Sequence, residues 1–325
     1  MRVFVTGAIG FVGINVVRWL AGQGDEVIAL YRTEPEPEAL AFLAPVLERV
    51  QLVPGDVEDA TALSSLMQEY RPEGVIHAAA MTPKLATERL LPYKILNINL
   101  MGTVRALDAA VASGVRRFVF VSSDGVYGGV SDPAQALTEE TQPRGEGLYP
   151  IAKIASEAIC RRYALMYGLE TVSGRVGATY GPMERPTRSR LGMSAVCEMA
   201  RATLEACELR VRGLEISRSW THVADMAGAL AALLHAPHTG HDIYNLSYGV
   251  PHKLSEVLEV FSRVEPRFRY RVVATDEEAD VAYDLGAQRG APSTARLRED
   301  IGFQPRFDLE SGIRDYMAWV RGSKV

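Results

Sequence analysis

The sequence predicts an α/β fold, a doubly wound parallel sheet followed by a smaller C-terminal α/β lobe. Three observations predict it. Short β-branched runs alternate with amphipathic stretches through the first half of the chain, those runs are apolar almost end to end, and a glycine-rich turn directly follows the first of them. Runs of that kind fit strands covered on both faces. Parallel neighbours in turn need a crossover long enough to carry a helix.

Taken in order, RVFVT (2–6), EVIALY (26–31), VQLVPG (50–55), GVIHAA (74–79), RFVFVS (117–122) and ETVSGRV (170–176) read as strands. Helical patterns lie between them near 10–22, 58–70, 86–112 and 150–167. After about residue 176 the rhythm changes. The loop GPMERPTRSR (181–190) leads to a helix near 191–208 and a strand near 209–212. A helix near 223–235, a strand at 243–246 and a helix near 254–263 follow. The tail, with RLREDIGFQP and LESGIRDYMAWV, reads as two helices parted by a Gly/Pro break. Residues 1–176 are thus expected to form the main sheet unit and 177–325 mainly the smaller lobe, with elements near 213–247 returning to the sheet.

Composition narrows the class. A chain of 325 residues with 47% hydrophobic and 23% charged content can bury a full core. Its net charge of −5 shows no basic excess, which argues against a nucleic-acid partner. No apolar run reads as a bilayer span, so no membrane partner is expected. The opening MRVFVTGAIG turns polar and Gly-rich too soon for a signal peptide. Cys160, Cys197 and Cys207 suggest neither a disulfide framework nor a metal site, and a reducing, cytoplasmic setting is expected.

TGAIGFVG (6–13) places Gly7, Gly10 and Gly13 after the first strand and at the start of the first helix. One glycine allows a sharp bend, a second lets the backbone approach a pyrophosphate, and a third lets helix and strand sit close. Phe11 and Val12 then lie where free helix N–H groups meet the anion. That predicts a Rossmann sheet holding NAD or NADP. An acidic residue at the end of the second strand would favour NAD, but Tyr31 and Arg32 stand there. The guanidinium fork of Arg32 suits a 2′-phosphate and favours NADP, unless Glu34 and Glu36 occupy it at the surface. Asp56 and Val57 follow the third strand, where Asp56 can meet the adenine amino group, cap the next helix, or do both.

Tyr149 and Lys153 open the helical stretch YPIAKIASEAICRRY four residues apart, so both side chains can face one cleft. A free tyrosine titrates near ~10, and lowering that by ~3 units takes ~4 kcal/mol, within reach of two nearby cations in a partly dry site. Tyr149 can then exchange the substrate hydroxyl proton while hydride moves at the carbon. VSSDGVYG (121–128) ends the fifth strand, where open α/β sheets hold ligands. Ser123 can anchor the reacting oxygen there; the alternative is that Ser122 and Ser123 serve only the turn.

These residues resemble the extended short-chain dehydrogenase/reductase family, also called the NAD-dependent epimerase/dehydratase family. TGAIGFVG, GDVED, VIHAAA, NINLMGT, SSDGVYG, YPIAK, YGP, RSWTHVAD, YNLS and the RLREDIGFQP tail run in the family's order along essentially the whole chain. The resemblance implies Tyr149 as acid/base, Lys153 as its electrostatic partner and ribose ligand, and Ser123 as substrate anchor. It implies that Ala78, Ala79, Ala80 and Asn99 line the cofactor, and that Thr82, Asp124 and Arg218 meet a small-molecule substrate. It also implies a homodimer through the helices near 95–112 and 150–167.

Departures from the family pattern narrow the reaction. The 4,6-dehydratases of the family carry Asp-Glu after the anchoring hydroxyl, whereas Asp124 is followed by Gly125. An Asn often precedes Tyr-Gly-Pro in nucleotide-sugar members, and the matching position here is Ala178. The loop arginines Arg185, Arg188 and Arg190 could hold an anion or be a solvated surface loop. The expected function is an NAD(P)-dependent oxidoreductase moving hydride to or from a secondary alcohol or ketone carbon of a polar, sugar-like or sugar-acid substrate. The alternatives are a nucleotide-sugar 4-epimerase with a tightly held cofactor, and a non-catalytic dinucleotide sensor. No metal is expected, since His235, His238 and His241 lack carboxylate or Cys partners at ligand spacing. His77 reads as packed beside the cofactor site, and Trp220 and Trp319 as packing residues.

Overall fold

The computed structural model describes residues 1–83, 85–129, 135–190, 192–283 and 290–322, with the side chains of 85–87 left aside. The first half supplies β1 (Arg2–Thr6), α1 (Phe11–Gly22), β2 (Glu26–Tyr31), α2 (Pro37–Leu43), β3 (Val50–Pro54) and α3 (Ala60–Tyr70). It continues with β4 (Gly74–His77), α4 (Leu85–Leu90), α5 (Pro92–Leu96), α6 (Gly102–Ala112), β5 (Arg117–Ser123), α7 (Leu148–Tyr167) and β6 (Glu170–Val176). Later come β7 (Thr179–Tyr180), α8 (Ala195–Glu205), β8 (Glu208–Arg212), β9 (Ser217–Arg218), β10 (Thr221–His222), α9 (Val223–His235) and β11 (Ile243–Leu246). The chain closes with β12 (His252–Lys253), α10 (Leu254–Val264), β13 (Arg269–Val272), β14 (Val281–Ala282), α11 (Ala295–Ile301) and α12 (Leu309–Gly322).

Seven strands form one sheet in the order β11-β6-β5-β4-β1-β2-β3, and every neighbouring pair is parallel. The order reverses between β1 and β4, so the C-terminal ends of those strands open a crevice. The alternating faces of the strands explain two separate cores. Val3 and Val5 pack with α1 and α9 on one side, through Ile14, Val17, Leu230 and Leu234. Phe4, Val75, Phe118 and Phe120 pack with α3, α6 and α7 on the other, through Leu63, Leu107 and Cys160. A third core, around Val196, Leu258, Phe261 and Ile313, belongs to the smaller lobe with its sheet β13-β8-β14.

Two expectations need correction. The helix expected over 86–112 is broken: Pro92 starts α5, and Leu91 before it is driven out of helical backbone to φ −130°. Proline's ring crowds the preceding residue and disfavours helix there. From Pro92 to Ala112 the run is continuous, passing through a π-helical turn at Asn97–Met101, and it is long and apolar enough to cross a membrane by length and composition. Half of it is buried against the sheet layer. The strand β13 also escaped prediction, because RYRV mixes charge and apolar residues and is exposed throughout.

Candidate active site

The glycine turn has a steric cause at each end. Gly7 adopts φ +64°, and a Cβ there would sit 2.7 Å from the backbone of Ala79. A Cβ on Gly13 would stand 2.1 Å from the Gly7 carbonyl oxygen. Only glycine lets strand end, turn and helix approach this closely. Gly10 precedes α1 and no side chain caps the helix, so the first-turn N–H groups of Phe11, Val12 and Gly13 face the crevice. The cradle fits a dinucleotide diphosphate.

Beneath the turn, Thr6 Oγ1 accepts from the Ala79 N–H at 3.2 Å and meets His77 Nδ1 at 2.8 Å. Burial, with Lys153 adding to it, pulls the His77 pKa down to about 3, so the ring is neutral. It braces the β1–β4 ends.

Two hollows of about 330 and 390 Å³ meet at Gly7, Gly10, Ala78 and Ala80, making one groove. Arg32, Asp56, Val57 and Ala79 line its adenosine end, where Arg32 Nε lies 3.9 Å from Asp56 Oδ2. Asp56 accepts from the Glu58 N–H at 3.0 Å, but the cap of α3 is Asp59, which accepts from Ala62 at 2.9 Å. Asn99, expected on the wall, stands behind it. Its amide bonds the backbone N–H and carbonyl of Met81, and Ile98 takes the wall position.

The other end gathers Ser123, Tyr149, Lys153, Thr82 and Arg218 in one cleft. Lys153 is buried and its Nζ donates to the Val121 carbonyl at 2.7 Å, 5.5 Å from the centre of the Tyr149 ring. Burial lowers its pKa to about 8, with Glu157 among the groups opposing that shift. Ser123 Oγ accepts from the Gly125 N–H at 3.0 Å while facing the cleft, so it serves the turn and keeps its own proton to donate. Ser122, which also lines the cleft, donates to Glu157 at 2.6 Å. Asp124 is buried beside the site. Arg218 is also buried, with its guanidinium 5.8 Å from the Tyr283 ring centre.

The arginine loop lines the groove while Pro186 and Arg188 within it stay exposed. Thr82 bonds the Ser189 carbonyl through both N–H and hydroxyl, at 2.8 and 3.2 Å, drawing residues 185–190 over the groove. Arg185 pairs with Glu36 at 3.2 Å, and Arg190 pairs with the buried Glu184 at 2.7 Å. Glu184 also accepts from the N–H and hydroxyl of Ser194, the cap of α8, both at 2.7 Å. Glu184, Tyr283 and Ser194 were not legible as site residues. Tyr283 comes to the cleft from distant sequence, and Glu184, whose partners Arg190 and Ser194 are near in the chain, is a lone acid in a Pro/Arg loop that carries no periodic signal. In the folded chain His235 meets Asp25 and His241 meets Asp300, carboxylates brought from remote segments. Among the described residues no cluster of three or more His, Cys, Asp or Glu is placed to hold a metal.

The model of the NAD dependent epimerase/dehydratase family matches residues 3–247. The chain belongs to that family. This epimerase/dehydratase-family chain is 30% identical to a dTDP-4-dehydro-6-deoxy-D-allose reductase of Streptomyces sp, over 98% of itself and 96% of that protein. It is 29% identical to the GDP-6-deoxy-D-mannose reductase of Pseudomonas aeruginosa, over 96% and 95%. Among solved structures, UDP-glucose 4-epimerase of Thermus thermophilus in complex with NAD aligns at TM-score 0.83 and 28% identity, over 99% of each chain. The family member described here is therefore an NAD(P)-binding enzyme of the extended short-chain dehydrogenase type, acting by oxidation and reduction.

Proposed function

We propose that this enzyme interconverts a secondary alcohol and a ketone on a sugar carried by a nucleoside diphosphate, with NADP as the exchanged cofactor. The observation that carries the reading is the shared wall of Ser123, Tyr149 and Lys153 at the end of β5, with buried Arg218 in the same cleft. When bound, the nicotinamide supplies or takes the hydride. Ser123 holds the reacting oxygen, Tyr149 exchanges its proton, and the Lys153 ammonium favours the phenolate. Arg218 offers a desolvated fork of donors for a diphosphate. Relatives named as reductases of nucleotide-linked deoxysugars support this substrate class. Arg32 and Arg188 beside the adenosine end support NADP.

A 4-epimerase is the second reading, and one observation favours it. Residues 185–190 are tied across the groove from both sides, an arrangement suited to keeping a cofactor in place. One experiment separates the two. Purified enzyme is assayed for bound dinucleotide, then mixed with NADPH and a 4-keto nucleotide sugar while the nicotinamide absorbance is followed. Stoichiometric net oxidation supports the reductase; bound cofactor with substrate interconversion and no net oxidation supports the epimerase. In either case Tyr149→Phe is expected to keep cofactor binding and lose at least about a hundredfold in turnover.

We further propose a homodimer built on the helical run Pro92–Ala112 and α7, supported by the exposed apolar residues Tyr93 and Met101 on the first and Ile151, Leu165 and Tyr167 on the second. Cysteine usage supports a cytoplasmic setting.

A further inference from the structure

On the far side of α1 from the phosphate turn lies a hollow of about 520 Å³ that shares no wall residue with the dinucleotide groove. Its walls come from α1, α2, α12 and the chain before α12, segments that meet only in the folded protein.

Two guanidiniums border it. Arg18 lies over the Phe42 ring at 4.3 Å, and Arg306 over the Trp19 ring at 4.6 Å. Among the described residues Arg18 has no carboxylate within ion-pair distance, although it is half-buried and burial lowers its pKa. Arg306 is more exposed and lies 3.6 Å from the buried Asp225, whose two oxygens also accept from the backbone of Arg306 and Phe307 at 3.0 Å. A half-buried cation without an acid is costly, and a bound anion would offset that cost.

The third donor is His222. Its Nδ1 accepts from the Ala224 N–H, capping α9, which leaves the proton on Nε2. That atom is buried and 3.3 Å from the carboxylate of Asp315, a wall residue whose pKa the contact lowers. Trp19, Phe42 and Trp319 line the hollow beside these donors, with Phe42 edge-on to Trp319 and Trp319 stacked on Tyr316. Cations stacked on aromatic rings, in a hollow walled by further rings, suit a ligand that is itself planar and negatively charged.

We propose that this hollow is a second ligand site, separate from the catalytic groove, for a planar aromatic or heteroaromatic anion carrying a phosphate or carboxylate. It is independent of which substrate the groove takes. Asn15 joins the two regions: its amide donates to the Phe11 and Pro182 carbonyls, both at 2.9 Å, so the hollow's floor also braces α1 beneath the diphosphate cradle.

The chain has three tryptophans, and two of them, Trp19 and Trp319, line this hollow. The test is a titration of the full chain, kept saturated with NADP and UDP, with 1-naphthyl phosphate, read by calorimetry and tryptophan emission. One saturable site per chain is expected, with emission changing in step. Arg18→Gln and Arg306→Gln are each expected to weaken binding about tenfold or more while NADP affinity holds. Cyclohexyl phosphate, which lacks the flat ring, and 1-naphthol, which lacks the charge, are expected to bind about tenfold more weakly. Absent saturation, binding indifferent to both arginine changes, or 1-naphthol matching the phosphate would each overturn the proposal.

Discussion

An ammonium enclosed by a carbonyl, two aromatic rings and the sheet end is poorly solvated, and Lys153 shows the consequence in a pKa of about 8. It is charged below that pH and supports the Tyr149 phenolate there; above it the support fades. Turnover is therefore expected to fall as pH rises through about 8, and Lys153→Arg, charged at every accessible pH, to move that limb upward in a pH–rate profile. The stability effect has the opposite sign. Between the folded pKa of about 8 and the ordinary lysine value of 10.5 the unfolded chain holds more protons, so stability rises with pH in that window. Thermal unfolding at pH 8 to 10 should show this rise in the native chain and not in Lys153→Met. At this scale Tyr149 and Lys153 were readable because one helical turn separates them. Asn99 was not, since its side-chain direction depends on Met81 in a distant loop.

The corner between β5 and α7 shows how elements hold a site. Ser122 donates to Glu157, Glu157 takes a bidentate pair from Arg175, and Arg175 Nη1 donates to the Tyr127 hydroxyl at 2.9 Å. Tyr127 in turn donates to Asn245 at 2.6 Å. This buried chain ties the strand end bearing Ser123 to the helix bearing Lys153, one turn before Glu157. Removing one partner strands the other charge in the interior, so Arg175→Met is expected to cost about 3–5 kcal/mol in urea unfolding. Adding Glu157→Leu should recover much of that loss; a double variant as unstable as Arg175→Met would contradict the account. Strands and helices were legible from apolar period. The tie between them was not, because Glu157 and Arg175 look like ordinary polar positions until Ser122 and Arg175 come side by side in the sheet.

At the scale of the whole molecule, the helical run Pro92–Ala112 and α7 present large apolar side chains to solvent. Tyr93 and Leu165 are each 80% exposed there, an unusual position for large apolar side chains. If this face pairs two copies, Leu165→Glu should convert the dimer to monomer in sedimentation velocity while leaving cofactor binding intact. A native chain that sediments as a monomer at micromolar concentration would end that reading. The sequence by itself determined the parallel sheet, the glycine cradle and the Tyr149–Lys153 pair, because each is written in local spacing: strand alternation, a turn between strand and helix, one turn of helix. Only the tertiary structure decided that residues 185–190 lie over the groove, that Glu184 clamps them, and that Arg18 and Arg306 border a second hollow. Most of those contacts join residues far apart in the chain, and the Glu184 clamp, though short in sequence, follows no helical or strand period, so no local period encodes which side chain will be met.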